Sequence, residues 1–392
     1  MRAGFIGLGG RSLAYLPLIQ QKAGASLCAI CDIDAVRLKE FQASWLHGME
    51  EVAVYTDYRL LLRDERVDTV FILTPDTTHR MILEASISAG KHILLEKPMA
   101  TTMEDALAIR RVGLASNNTL ALGFVLRYTP VYTTVKAVLS QGRIGRLVSL
   151  RSQEMLDTRH AASFYRRWHR FSINNGGLMN AKCCHDLDLL NWLTDSSPSQ
   201  VNAFGGKSVF LPNEAYPQRC SECSRIAECL YAFNADYYEE NFRGNHSLSD
   251  LCVYNAQKDI VDHESMQILF DNGVVAQFDL CMVGYEENRR MELYGTQAAL
   301  LVDFNKAVLT LHPLNSHLTC HQPEVIKCDG ISEGHGGGDH AIIDALYDSV
   351  HGVKPINHTE AGFFATCLAL AGEESMKQGR TVNIREFISA HQ

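Results

Sequence analysis

Ala3-Gly4-Phe5-Ile6-Gly7-Leu8-Gly9-Gly10-Arg11-Ser12 is the stretch on which the reading of this chain turns. Gly4–Gly7 reads as a strand, and the periodic segment Ser12–Gly24 behind it as a helix. Gly7, Gly9 and Gly10 let the chain turn tightly between them. The free N–H groups and dipole at the helix start then favour an anion such as a pyrophosphate. Ser12 replaces the third glycine of the usual G-x-G-x-x-G and is small enough for close helix–strand packing. Turns of this kind also occur without ligands. Asp32 decides the matter: it ends the next strand, Ser26–Asp32, at the spacing of a carboxylate that accepts ribose hydroxyls. That charge repels a 2′-phosphate, so NAD is expected over NADP, with Arg37 close enough to soften the preference.

Working outward, short apolar runs alternate with helix-length segments. Val67–Leu73, Lys91–Glu96 and Thr119–Gly123 read as strands, and Thr78–Gly90 and Met103–Ser116 as helices. Buried parallel strands are nearly continuously apolar, and these are. The texture changes near Gly123. A helix from Pro130 to Gly142 leads into a strand at Leu147–Glu154. Glu264–Phe270 and Val274–Met282 then flank an Asp271-Asn272-Gly273 hairpin turn. Met291–Tyr294, Ala299–Asp303 and Ala307–Leu311 continue the alternation, and Thr359–Gln378 reads as a helix stopped by Gly379. The fold class expected is α/β. A Rossmann-type doubly wound parallel sheet fills residues 1–123, and an α+β domain with a large, mainly antiparallel open sheet fills residues 124–392.

The chain has 392 residues, too many for one ordinary core. Its formal charge of −9 argues against a nucleic-acid partner, because a phosphate backbone needs a basic face. No run approaches the roughly 18 apolar residues that cross a bilayer, and no secretory leader is evident, so a cytoplasmic location without membrane association is expected. Among the twelve cysteines, Cys28, Cys31, Cys281 and Cys367 lie in apolar segments and read as small core residues. Cys220-x2-Cys223-x5-Cys229, with Cys252 further along, sits in a polar insertion spanning 211–243. Thiolates so spaced suit a structural zinc ion, with an iron–sulfur cluster or free thiols as alternatives.

Two further segments follow strands, where ligands gather in open parallel sheets: Leu73-Thr74-Pro75-Asp76-Thr77-Thr78-His79 and Leu95-Glu96-Lys97-Pro98. With the glycine turn, Asp32 and Gly142-Arg143-Ile144-Gly145, they resemble the glucose–fructose oxidoreductase / inositol dehydrogenase (Gfo/Idh/MocA) family, most specifically through Glu-Lys-Pro. The resemblance implies hydride transfer on sugars, inositols or similar polyols, and a homodimer or homotetramer built on the open sheet. Thr74, Pro75, His79, Glu96 and Lys97 join Gly7, Gly9, Gly10, Arg11, Ser12 and Asp32 as implied cofactor contacts. Pro98 is implied to turn the chain through a cis bond. A Lys97 ammonium can hydrogen-bond the reacting oxygen and favour its alkoxide character. The plainer alternative is a surface ion pair.

The resemblance also covers Gly176-Gly177-Leu178-Met179-Asn180-Ala181-Lys182-Cys183-Cys184-His185-Asp186-Leu187-Asp188. His185 is then the general base or acid for the substrate hydroxyl, and Asp188, one helical turn on, orients it. Ala181 departs from the family, which often carries an acid there. Lys182 puts a cation one residue later, so substrate charge or the proton relay is expected to differ. A lone helical histidine is otherwise usually structural. Arg127 and Tyr128 resemble residues at the family's domain junction. Trp168, beside Arg166, His169 and Arg170, and His335 within Gly334–His340 are further candidate substrate contacts. A packed loop and a helix cap are their plain alternatives.

Three functions compete on this reading. The first is an NAD-dependent oxidoreductase acting at a ring carbon of a sugar or cyclic polyol. The second is a redox-neutral glycosidase that uses bound NAD for transient oxidation, elimination, water addition and reduction. The third is a nucleotide sensor, which has no need of both Lys97 and His185.

Overall fold

The computed structural model describes residues 1–241, 249–328 and 335–392; Gly334 of the glycine-rich loop and residues 242–243 of the cysteine insertion lie outside them. The first stretch runs β1 (Arg2–Ile6), α1 (Gly10–Gln21), β2 (Ser26–Cys31), α2 (Ala35–Trp45), β3 (Ala53–Tyr55), α3 (Tyr58–Arg63), β4 (Thr69–Ile72), α4 (His79–Ser88), β5 (His92–Leu95), α5 (Met103–Ala115) and β6 (Leu120–Leu122). These six strands form a parallel sheet in the order β3-β2-β1-β4-β5-β6. Val70, Phe71, Ile72, Leu94 and Leu95 are fully buried, as the unbroken apolar runs require when both sheet faces are covered. Asp34, Asp57 and Thr102 accept backbone N–H bonds at the starts of α2, α3 and α5, each worth about 1 kcal/mol.

Beyond Val125 follow α6 (Pro130–Ser140), β7 (Leu147–Met155), α7 (Thr158–Arg166), α8 (Leu178–Thr194), β8 (Pro198–Gly206), α9 (Ala235–Asn241), β9 (His263–Phe270), β10 (Val275–Cys281), β11 (Asn288–Gly295), β12 (Ala298–Asp303), β13 (Val308–Pro313), β14 (Glu324–Lys327), α10 (Gly338–Val350), α11 (Thr359–Gln378), β15 (Val382–Asn383) and α12 (Ile384–Ser389). Two compact units result. The first holds residues 1–125 with α9 and Gly338–Phe363; the second holds the remaining described residues. Within the second, strands order as β14-β13-β12-β11-β7-β10-β9-β8-β15, antiparallel except for the β7–β10 pair. β9 alternates strictly between exposed and buried positions, so one face packs under helices and the other is open. Gly273, at φ 82°, makes the hairpin between β9 and β10 at the expected Asp-Asn-Gly turn.

Among the described residues no helix is long and apolar enough to cross a membrane.

Candidate functional site

In the first unit, Gly7 leaves β1 at φ 94°, and a Cβ there would lie 2.7 Å from the Leu73 carbonyl oxygen. Only glycine lets β1 turn this close to the end of β4. Gly9, by contrast, has nothing within 4 Å of a built Cβ, which leaves room for a ligand to approach the backbone. No side chain caps α1 behind it. Ser12 is fully buried and its hydroxyl donates to the Gly9 carbonyl at 2.7 Å, so it does the packing work of the missing glycine.

Asp32 follows β2 and is fixed from three sides. Its Oδ2 accepts the Leu8 N–H at 2.9 Å, its Oδ1 accepts the Asp34 N–H at 3.0 Å, and Arg37 Nη1 lies 3.2 Å from Oδ2. The carboxylate is thereby bonded to the backbone of the glycine turn itself. Arg37 is held on Asp32, where it partly neutralises the charge that would repel a 2′-phosphate.

At the ends of β4 and β5 the candidate residues separate into two groups. Fully buried His79 has its Nδ1 2.8 Å from the Pro98 carbonyl and its Nε2 3.1 Å from the Thr74 carbonyl. Burial lowers its basicity. This imidazole pins the Thr74–His79 loop to the turn after Lys97, whose bond to Pro98 is cis. Glu96 is also buried: Oε1 takes the Arg11 Nε–H at 2.6 Å and the Tyr15 hydroxyl at 2.9 Å, and Oε2 takes the Lys97 backbone N–H at 3.1 Å. Burial alone would raise this carboxyl, but the Arg11 guanidinium outweighs it and holds Glu96 below the usual range. Arg11 reaches Asp339 as well, at 2.7 Å. Thr74 and Lys97 are half-buried and Pro75 is exposed, so they form the accessible part of this group.

In the second unit α8 carries His185, which is 4% exposed. The ring of His335 lies 5.9 Å away, centroid to centroid, and is exposed to solvent. His335 has φ 43° and precedes Gly336 and Gly337, both also at positive φ. Asp188, expected to orient His185, gives both its oxygens to Arg127, at 2.5 and 2.6 Å. Lys182, expected to face substrate, instead lies 2.9 Å from Glu154 of β7. Arg289 of β11 also reaches Glu154 and Asp186, each at 2.9 Å. Sequence reading missed Glu154, Arg289 and Asp186. The available signal was Glu154 itself, a charge at an inward position of an alternating strand.

Tyr128 is half-buried, and its phenol is pushed up to about 12 by burial. Trp168 stacks on His169 at 3.8 Å, and its carbonyl accepts from Asn174. Arg166 is fully buried and donates to the carbonyls of Leu251 and Tyr231.

Among the described residues no three His, Cys, Asp or Glu side chains are grouped closely enough to hold an ion, so no zinc or cluster site is seen at Cys220, Cys223, Cys229 and Cys252. Burial raises the Cys229 thiol, and Cys220 and Cys252 lie near enough to act on it in the same direction. The Arg166 guanidinium lies 3.5 Å from Cys220 Sγ. The loop is held by the Arg219–Asp250 ion pair at 2.5 Å and by backbone bonds from Cys220 to Asp250 and Cys252 to Gln218.

Comparison with known proteins agrees with this geometry. Residues 1–124 match the model of an oxidoreductase family with an NAD-binding Rossmann fold, and residues 136–384 match the C-terminal alpha/beta domain of the same family. The Bacillus subtilis (strain 168) protein YteT, an oxidoreductase by name, is 24% identical over 362 residues, covering 83% of each chain. Inositol 2-dehydrogenase 2 of Saccharopolyspora erythraea is 31% identical over 195 residues, 49% of this chain and 53% of that one. Levoglucosan dehydrogenase in complex with NADH and levoglucosan shares the fold at a TM-score of 0.74 and 18% identity, over 98% of this chain and 99% of that one. Both halves of the sequence, the parallel sheet with its glycine turn, and the mainly antiparallel sheet lead to one assignment: the chain is an oxidoreductase of the Gfo/Idh/MocA family.

Proposed function

We propose that the protein is an NAD-dependent dehydrogenase that oxidises a secondary hydroxyl on a ring carbon of a sugar or cyclic polyol, or runs the reverse reduction. The observation that carries this reading is Asp32, bonded to Leu8 of the glycine turn at 2.9 Å, beside the open backbone at Gly9. A carboxylate so placed suits a ribose diol better than a ribose phosphate. The inositol 2-dehydrogenases among the relatives supply the substrate class.

A bound nicotinamide supplies the hydride acceptor; the chain supplies the proton chemistry and the charge. We assign the half-buried Lys97 ammonium to the reacting oxygen, where it favours alkoxide character. We assign His185 as the base that takes the hydroxyl proton. Arg127, Tyr128, Trp168, Asp188 and His335 shape and support the substrate side. Lys182 is assigned a structural role because its ammonium is committed to Glu154. That commitment takes Lys182, though not Ala181, out of the sequence departures that suggest a different proton relay.

The test is incubation of the purified protein with NAD or NADP and a panel of inositols, aldoses and anhydrosugars, following reduced nicotinamide by its absorbance. Reduction of NAD with at least one neutral polyol is expected. Release of an aglycone from a glycoside without net reduction would favour the second reading.

A further inference from the structure

Asp76 lies three residues before His79 in the loop after β4. The residue is 8% exposed, and among the described residues its Oδ2 has no hydrogen-bond partner. A buried carboxyl with an unmet oxygen carries a desolvation cost that most folds avoid.

Two strand ends define those surroundings. β4 and β5 are hydrogen-bonded neighbours in register Ile72↔Leu95, and the Glu96 N–H bonds the Ile72 carbonyl at 2.9 Å. Asp76 lies four residues past Ile72, and Lys97 two past Leu95, so both leave the same edge of the sheet. The charges that act on Asp76 are the Lys97 ammonium, which favours its ionisation, and the Glu96 carboxylate, which opposes it. Glu96 is saturated by Arg11, Tyr15 and the Lys97 backbone, and Arg11 is shared with Asp339. His79, the other titratable group of this loop, is occupied by two carbonyls. Asp76 is therefore the carboxyl at this edge with an oxygen to spare.

We propose that Asp76 is a positioning residue that acts through Lys97, its carboxyl group directing the Lys97 ammonium toward the reacting oxygen. This inference rests on the catalytic assignment of Lys97 made above. A carboxyl oxygen can accept from an ammonium whether or not the acid is ionised, and the attraction between the two groups grows once it is ionised. Burial pushes the Asp76 carboxyl up to about 8, so the attraction strengthens in the alkaline range where alcohol oxidation releases its proton.

The experiment is a double-mutant cycle on the full-length protein with Asp76→Asn, Lys97→Met and both together. If Asp76 works through Lys97, D76N, assayed at about pH 9 where the parent carboxyl is ionised, lowers kcat about tenfold in the parent and less than about twofold in the K97M background. Equal losses in the two backgrounds, or no loss in either, overturn the proposal. A second measurement needs no turnover: labelling of Lys97 by an amine-selective acylating reagent at about pH 9, read by peptide mass spectrometry. D76N is expected to speed Lys97 labelling by about threefold or more while other lysines are unchanged, with Asp76→Glu restoring the parent rate. Unchanged Lys97 labelling in D76N overturns the inference even if no polyol tested is a substrate. Failure of the parent protein to oxidise any polyol counts against the dehydrogenase reading instead.

Discussion

Arg127 closes on Asp188 with two hydrogen bonds of 2.5 and 2.6 Å, and the carboxylate it meets is 1% exposed. Burial raises the Asp188 carboxyl and the Arg127 guanidinium opposes that rise. A planar fork meeting a carboxylate in this way fixes geometry as well as charge. It ties the segment before α6 to the middle of α8, one turn beyond His185.

Breaking one side of this pair leaves a charge with no partner in a dry setting. Asp188→Ala is expected to destabilise the protein by about 3–5 kcal/mol, whereas replacing both residues by apolar ones of similar volume costs much less. Chemical denaturation of the single and double variants checks this. Equal losses in the two would mean the pair contributes little beyond packing.

The Glu154 carboxylate sits between two cations, Lys182 and Arg289, and Arg289 is shared with Asp186. Removing Lys182 leaves Arg289 against two carboxylates, of which Asp186 is already raised by burial and can take up a proton. Removing Glu154 leaves two cations, one of them an arginine that does not shed its charge, with only Asp186 and the nearby Glu287 among the described residues to balance them. Glu154→Leu is therefore expected to lower the melting temperature clearly more than Lys182→Met. K182M should also leave the preference between neutral and anionic polyols within about threefold of the parent. A selective loss of anionic substrates in K182M would return Lys182 to the substrate side.

Much of the first unit was legible because its signals are local. Continuous apolar runs mark β1, β4 and β5, and the glycine turn and Gly90 mark helix boundaries. Helix starts shifted by small amounts: α1 begins at Gly10 rather than Ser12, since Gly9 already serves as its cap residue. The candidate site was only half legible. Motif singles out Lys97 and His185 as candidates, but the partners of Lys182 and Asp188 come from strands and loops far along the chain. Helical spacing placed Asp188 near His185 and gave no sign that Arg127 would take both its oxygens.

Asp76 carries a pH dependence with a definite sign. Its carboxyl is pushed from an ordinary 3.8 up to about 8, by burial first and by Glu96 next, with Lys97 opposing. The folded chain therefore keeps a proton that the unfolded chain has lost, so stability falls as pH rises through that window and levels off above it. Taken at full size the shift corresponds to about 6 kcal/mol. Asp76→Asn removes the slope: its melting temperature should match the parent near the acidic end and exceed it at about pH 9. Parallel curves for the two proteins would contradict the shift.

Gly177 begins α8 at φ 100°, and a Cβ there would fall 2.2 Å from Glu373 Oε1. Gly177→Ala is thus expected to strain the backbone and displace α11 or α8, lowering stability by roughly 2 kcal/mol or more. Shortening the acid as well, in G177A with Glu373→Ala, should recover the steric part but leave the backbone part. Thermal melts of the single and double variants separate the two. No recovery would show that the clash with Glu373 is relieved without cost.

The dehydrogenase account meets its most direct test in the rate of NADH formation from a neutral polyol by the parent protein, Lys97→Met and His185→Gln. The parent should reduce NAD, and each variant should lose about 100-fold or more in kcat while keeping its fold. No reduction of NAD with any polyol, or variants as fast as the parent, would contradict it.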